Sequence, residues 1–342
     1  MGKRKIVTAM CVIALFVSLF THGMILLGPI VKMAGAVDVT IWYDSNTTIN
    51  ITVNSEVPSI NWYDFQDSLD VSKLDSRVDV NESYSFVVNI TDLQGWDDID
   101  YVNITCWFDN GSQAATYNST QGGNLNMFLQ YENTTGNANW TMLWPDDEVT
   151  FNSGDCSESA YGADTKNLTF TFTPLYQVRY SKAGTGAWSW NFTIDVDDAS
   201  EDNTSQSDEY GIYMYTRIVQ TTENPAGTAN PGQNDVALSP HTNVTTRCNA
   251  NYTLTTNLPN LTDGSGHYIL NSSLSVQGGD LSRANFDGGN ASYLYGSDST
   301  YRNHLVNTTE DTVEVEYWVN CSLGQYPGYY ESTVTYTLAG EV

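Results

Sequence analysis

The run Tyr84-Ser85-Phe86-Val87-Val88-Asn89-Ile90-Thr91-Asp92, followed through Gly95-Trp96-Asp97-Asp98-Ile99 by Val102-Asn103-Ile104-Thr105-Cys106-Trp107-Phe108, decides how this chain of 342 residues folds. Tyr84, Phe86, Val88 and Ile90 recur at every second position, as do Val102, Ile104, Cys106 and Phe108. A period of two is that of a strand, whose successive side chains point to opposite faces. Both strands carry Asn-x-Thr, at Asn89-Ile90-Thr91 and Asn103-Ile104-Thr105. In a strand the Asn and Thr share one face and the middle residue takes the other. The same arrangement, with a large apolar centre, recurs at Asn139-Trp140-Thr141, Asn167-Leu168-Thr169, Asn191-Phe192-Thr193 and Asn251-Tyr252-Thr253. Each predicts a strand with a packed inner face and a sugar-bearing outer face.

Working outward, alternating or aromatic-rich runs predict strands at 37–43, 49–53, 125–131, 139–144, 168–173, 188–196, 210–219, 252–256, 268–276, 312–319 and 332–338. Clusters of Gly, Asn, Asp and Ser separate them, and no convincing amphipathic helix follows residue 36. The fold class expected is all-β. Short strands with frequent turns favour β-sandwiches over a closed barrel or a parallel sheet.

Charge limits the partners. The chain has 13 Lys and Arg against 40 Asp and Glu, a net charge of -27. Phosphate binding needs clustered bases, and none adjoin after Lys5, so nucleic acid and anionic membrane surfaces are excluded as partners. Lys3-Arg4-Lys5, the apolar run 6–20 and Ala34-Gly35-Ala36 have the order of an export signal with a small-residue cleavage site before Val37. A second apolar stretch, 25–31, supports the rival reading of an uncleaved anchor over 6–31. Both deliver the rest of the chain to the cell exterior. Cleavage removes Lys3, Arg4, Lys5 and Lys32 and no acid, leaving nine bases against 40 acids.

The densest motif is the N-glycosylation acceptor Asn-x-Ser/Thr. It occurs at Asn46, Asn50, Asn81, Asn89, Asn103, Asn110, Asn118, Asn133, Asn139, Asn167, Asn191, Asn203, Asn243, Asn251, Asn260, Asn271, Asn290, Asn307 and Asn320. One such site means little, but this density predicts a glycoprotein. Those with small centres, such as Asn110-Gly111-Ser112 and Asn118-Ser119-Thr120, are expected in loops.

Two sandwich domains are expected, over 37–198 and 210–342, joined by the acidic linker 199–209 (ASEDNTSQSDE) or by the Pro/Gly/Asn-rich segment 221–241. The first contains a long insert near 110–164. Four cysteines follow the export segment. Pairing within each proposed domain joins Cys106 to Cys156 and Cys248 to Cys321, the alternative being free buried thiols. Asp195, Asp197, Asp198, Glu201, Asp202 and Asn203 concentrate oxygen ligands at the domain end. They are the candidate calcium ligands, Asp195, Asp197, Asp198 and Asp202 foremost, although the spacing is not that of an EF-hand. No other cofactor is expected.

The stretch from Tyr84 to Gly111 resembles immunoglobulin-like or PKD-like modules of archaeal cell-surface proteins, in which a V-N-I-T-D strand passes through a W-x-D-I turn into the next strand. Trp188 to Asp197 then corresponds to the closing strand. The ending Gly328-Tyr329-Tyr330-Glu331-Ser332-Thr333-Val334-Thr335-Tyr336-Thr337-Leu338 is similar to that of bacterial and archaeal sandwich proteins of surface layers and fibres. The resemblance implies two immunoglobulin-like sandwiches with a structural role at the envelope, and no catalytic residues.

The expected function is therefore a structural subunit of an extracellular filament, pilus-like fibre, sheath or surface layer, with itself or other surface proteins as partner. Joining by strand donation is one route, since Val37, Val39, Ile41 and Tyr43 alternate with Asp38, Thr40 and Trp42. The competing reading of that segment is an ordinary first strand. The sequon-poor stretches 54–80 and 205–242 are the expected protein contacts. A carbohydrate-binding adhesin is the alternative, with Trp62, Tyr63, Trp188, Trp190, Tyr213, Tyr215, Tyr293, Tyr295, Tyr326, Tyr329 and Tyr330 as candidate stacking residues. An enzyme is disfavoured, because His241, His267 and His304 sit in no catalytic frame and no two acids can be placed across a cleft from sequence.

Overall fold

The computed structural model describes residues 30–33, 37–40, 51, 56–120, 125–134, 137–145, 148–162, 164–286, 292–295 and 310–340. The chain divides into two compact units, 1–54 and 55–342. In the first, β1 (Ile30–Met33) and β2 (Val37–Thr40) form an antiparallel pair with Met33 opposite Val37. Most of the export segment and of the run 49–53 lies outside the described residues.

The second unit is all-β and holds two separate apolar cores, one for each sandwich. Strands β3 (Ser59–Asp67), β4 (Arg77–Val78), β5 (Tyr84–Thr91), β6 (Ile99–Phe108), β7 (Asn126–Thr134), β8 (Asn137–Trp144), β9 (Val149–Phe151), β10 (Ser157–Ala160), β11 (Thr165–Pro174), β12 (Trp190–Asp198) and β13 (Asn203–Ile212) build the first sandwich. One sheet runs β10-β11-β5-β3, with β9 also on β11, and the other β4-β13-β12-β6-β7-β8. The alternation is realised residue by residue. Trp190, Phe192, Ile194, Val196 and Asp198 of β12 are buried, and the residues between them are only partly so. Phe86 of one sheet meets Phe192 of the other at a ring separation of 4.9 Å, and Phe65 meets Tyr210 at 4.7 Å. Burying each such ring is worth about 1.5–3 kcal/mol, so this aromatic seam is what holds the two sheets together.

The second sandwich contains β14 (Thr216–Thr222), β15 (Val236–Ala237), β16 (Thr242–Cys248), β17 (Tyr252–Asn257), β18 (Leu261–Thr262), β19 (Tyr268–Ile269), β20 (Leu274–Gly278), β21 (Leu281–Asn285), β22 (Ser292–Tyr295), β23 (Asp311–Val319) and β24 (Thr335–Gly340). Its larger sheet runs β14-β16-β23-β20-β21, its smaller β22-β17-β24.

Three expectations about organisation are corrected. The acidic stretch 199–209 is not a linker: it is the turn from β12 to β13 and most of β13, paired to β12 from Trp190–Tyr210 to Asp197–Asn203. Its polarity reflects a solvated strand face. The segment 221–241 is not a linker either, since β14 and β15 belong to the second sandwich's main sheet. The boundary is Tyr213-Met214-Tyr215, pinned by fully buried Asn249. The Asn249 side chain accepts from the Tyr215 N–H at 2.8 Å and donates to the Tyr213 carbonyl at 2.9 Å. The supposed insert 110–164 supplies β7 and β8 to one sheet and β9 and β10 to the other, so it is part of the sandwich.

Candidate functional site

The expected disulfides are corrected as well: Cys106, Cys156, Cys248 and Cys321 are all free thiols. Cys106 points into the first core and Cys156 accepts from the Thr171 N–H at 3.3 Å. Burial pushes the Cys156 thiol up to about 11 and the Cys248 thiol up to about 12, which keeps both protonated and unreactive at neutral pH.

The sequon asparagines divide by strand parity and crowding. Asn81, Asn110, Asn118, Asn139, Asn203, Asn243 and Asn260 are exposed, and Asn103, Asn167, Asn191, Asn251 and Asn320 are partly buried. Asn46, Asn50, Asn290 and Asn307 lie outside the described residues. Asn89, Asn133 and Asn271 are buried and cannot carry a glycan in this fold. Asn133 continues the inward series Met127, Leu129, Tyr131 of β7, and its Nδ2 donates to the Trp96 carbonyl at 2.8 Å. Asn89 is on the outer face of central strand β5, yet its side chain is enclosed in an amide ladder with Asn61 and Asn167. Asn271 donates to the Leu258 carbonyl.

The acids gather differently from the expected calcium set. Asp195 and Asp197 sit on the opposite side of β12 from Asp198, because the strand alternates. Burial, then the neighbouring Asp197 charge, raises the Asp195 pKa. Asp197 instead accepts from Asn103 Nδ2. Asp202 contributes its backbone N–H to Asp198 Oδ1. Asp198 turns inward toward Asp92, which follows β5, and Asp98, which precedes β6. One carboxylate oxygen of each lies within 4.8 Å of the others. The antiparallel register that sets Asp198 opposite Ile99 brings Asp98 to Asp198. The Asp92 N–H bond to the Asp164 carbonyl, at 2.9 Å, fixes the third member.

Backbone donors occupy one side of two of these carboxylates. Asp92 Oδ1 accepts from the Gln94 N–H at 2.8 Å, and Asp198 Oδ1 from the N–H groups of Ser200 and Asp202 at 2.9 Å each. Oδ2 of all three is buried and accepts no hydrogen bond. Asp92 is 0% and Asp198 3% exposed. Burial, followed by the charges of Asp98, Asp198 and Asp164, holds the Asp92 carboxyl above its ordinary range. Burial and the Asp198 and Asp100 charges do the same to Asp98. Sequence reasoning found Asp198 but missed Asp92 and Asp98, although both lie in the quoted turn between the first two strands.

Among the described residues the remaining candidates do not converge on one site; the side chains of Tyr293 and Tyr295 lie outside them. His241 Nδ1 pairs with Glu314 at 2.6 Å, and His267 pairs with Asp263 at 2.6 Å while stacking on Tyr326. His304 is outside the described residues. Trp190 is buried, Tyr63 packs edge-on against Phe192 and Tyr215 packs on Tyr176. Trp62, Trp188, Tyr213, Tyr326 and Tyr329 are exposed but distributed over both sandwiches.

Neither a family model nor a curated protein matches the chain. Among solved structures, a DUF4785 family protein of Legionella pneumophila aligns at 9% identity over 78% of this chain and 46% of its own length, with a TM-score of 0.20. Thus the chain spans about half of that protein. The serine-rich repeat protein Srr2 of Streptococcus agalactiae aligns at 9% identity, covering 82% of this chain and 93% of its own, with a TM-score of 0.24. The C-terminal domain of the antigen I/II-family protein AspA of Streptococcus pyogenes aligns at 10% identity over 84% and 97%, with a TM-score of 0.23. At this level no property of those proteins transfers to this chain.

Proposed function

We propose that this protein is an exported structural glycoprotein that assembles with copies of itself at the cell surface. The observation that carries the reading is the placement of the sequons. Asn81, Asn110, Asn118, Asn139, Asn203, Asn243 and Asn260 are exposed across both sandwiches, whereas the sequon-poor stretches 54–80 and 205–242 each contain a sheet-edge strand, β3 and β14. Bare backbone at these two edges suits a subunit that pairs edgewise, while the edge strand β8 carries the exposed sequon Asn139 and is the edge that a glycan would block. The role is non-catalytic.

The N-terminal pair supports a route to assembly. Cleavage after Ala36 removes β1, the partner of Val37–Thr40, and leaves a strand whose N–H and C=O groups need a new partner. An open edge of a neighbouring subunit satisfies them by strand addition.

The test is isolation of the native protein from cell-surface material, with N-terminal and glycopeptide mapping and electron microscopy. The expected result is a chain beginning at Val37, glycans on the seven exposed asparagines, and polymers that Val39→Pro dissociates by removing a ladder donor. An unglycosylated monomer that retains Met1 would overturn the reading.

A further inference from the structure

We propose that Asp92, Asp98 and Asp198 form a binding site for a divalent cation of the calcium type, which ties the two sheets of the first sandwich together at one end. The site is distinct from the surfaces on which the assembly reading rests.

Three observations lead there. First, the three residues come from both layers. Asp92 leaves β5 of one sheet, and Asp98 and Asp198 flank β6 and β12 of the other. A cation held by all three is a cross-link between layers that otherwise meet through ring packing and side-chain hydrogen bonds such as Tyr63–Asp208 and Tyr131–Glu158.

Second, the buried oxygens lack partners. Three Oδ2 atoms with no donor, two of them on side chains that are 0% and 3% exposed, are an arrangement that folded proteins avoid unless an ion or water fills it. Among the described residues no Lys, Arg or His makes an ion pair with any of the three. The nearby acids Asp164 and Asp100 add negative charge. The backbone donors on the Oδ1 atoms of Asp92 and Asp198 leave Oδ2 of each carboxylate available to a ligand.

Third, the donors select the ion. Three carboxylate oxygens within 4.8 Å of one another suit calcium, which takes several protein oxygens in a flexible geometry, whereas magnesium dehydrates reluctantly and is held by one or two carboxylates. Carboxylates without thiol or imidazole disfavour zinc and copper. Three protein oxygens leave the remaining positions to water, which places the affinity in the range of extracellular modules, about 10⁻⁴–10⁻³ M.

The experiment is calcium titration of the full chain, after EDTA treatment and removal of the chelator, by calorimetry and thermal unfolding, with magnesium in parallel. Expected are saturable calcium heat, a midpoint raised by roughly 5–10 °C at about 10 mM CaCl₂, and binding of magnesium at least tenfold weaker. Asp92→Asn and Asp198→Asn should each weaken calcium binding at least tenfold, with Asp195→Asn and Asp197→Asn leaving it unchanged. In EDTA the order of stability should invert, Asp198→Asn unfolding at a higher temperature than the parent because one repelling charge is gone. Should the buried variants fail to fold, Asp98→Asn, at the less buried member, must show the same loss of affinity. Absence of heat and of a midpoint shift in the parent chain would refute the site. So would equal affinity for magnesium, or loss of binding in the Asp195 and Asp197 variants.

Discussion

The two sandwiches solve the same problem with different chemistry. In the first, the seam between sheets is built of rings: Phe65, Phe86 and Phe172 stack in one sheet and Phe192 and Tyr210 meet them from the other. In the second, the core is laced with hydroxyls. Tyr252 donates to Asp311 at 2.9 Å, and the Tyr317 hydroxyl bonds that of Tyr336 at 2.7 Å. Buried polar groups in the second core find each other, whereas the carboxylates of the first gather at its end with their Oδ2 atoms unsatisfied. An apolar seam supplies stability in proportion to area, and a polar one fixes which side chain meets which.

The sharpest way to break this contrast is to empty the aromatic seam. Phe86→Ala removes a fully buried ring that contacts both sheets. It is expected to cost about 3–5 kcal/mol, read by denaturant unfolding as loss of the first sandwich's transition. Val315→Ala in the second core, also fully buried, removes less volume and is expected to cost roughly 1–3 kcal/mol by the same cavity argument. Equal losses would show that the rings contribute no more than their neighbours.

A smaller effect separates structural from surface asparagines. Asn133→Ala leaves the buried Trp96 carbonyl without its donor, and should cost about 1–3 kcal/mol. Asn243→Ala, exposed on β16, should stay within about 0.5 kcal/mol. Both substitutions abolish a sequon, so unglycosylated protein from a bacterial host isolates the fold contribution. Tyr317→Phe tests the polar core in turn. It deletes hydrogen bonds to Tyr336 and Thr256, and a loss near 1 kcal/mol is expected for a pair that trades its water for protein partners. A loss near zero would show that Tyr336 repairs the bond elsewhere.

How much of this was legible beforehand follows from where period-two alternation is visible. Tyr84–Thr91 and Trp190–Asp198 are strands with one apolar face, and the sequence pattern alone places them. Asn203–Ile212 is mostly polar until Tyr210 and looks like a linker, because hydrogen bonding to β12 rather than an apolar face keeps it extended. Ser59–Asp67, with Phe65 its only fully buried position, hides for a similar reason. Asp198 was readable as the last inward residue after Trp190, Phe192, Ile194 and Val196, and the same parity disqualifies Asp195 and Asp197. Asp92 and Asp98 were not readable as its companions, since Asp98 meets it through the pairing of β6 with β12, a long-range register, and Asp92 comes from the opposite sheet. Parity likewise marks Asn133 as inward, whereas the enclosure of Asn89 depends on neighbours from two other strands.

The smallest expected effects are those of pH, and they distinguish the sandwiches by window. The folded pKa values of Asp92 and Asp98 lie above the ordinary carboxylate value of 3.8 because burial disfavours the charge. The folded state therefore binds more protons than the unfolded one across that interval, and stability falls as pH rises through it. In the second sandwich, His241 is raised above 6.5 by its bond to Glu314, with Glu316 adding to it. Its contribution has the same sign, full below 6.5 and lost as pH climbs through the raised value, but it belongs to the neutral range. Chelated protein should accordingly lose stability in two steps on going from acid to mildly basic pH, the first in the Asp92 sandwich and the second in the His241 sandwich. His241→Gln should erase only the later step, and saturating calcium should reverse the slope of the earlier one, because the cation binds the deprotonated carboxylates. Both steps appearing in one shared unfolding transition would mean that the two cores unfold as one unit, and the contrast between them would then describe packing without describing stability.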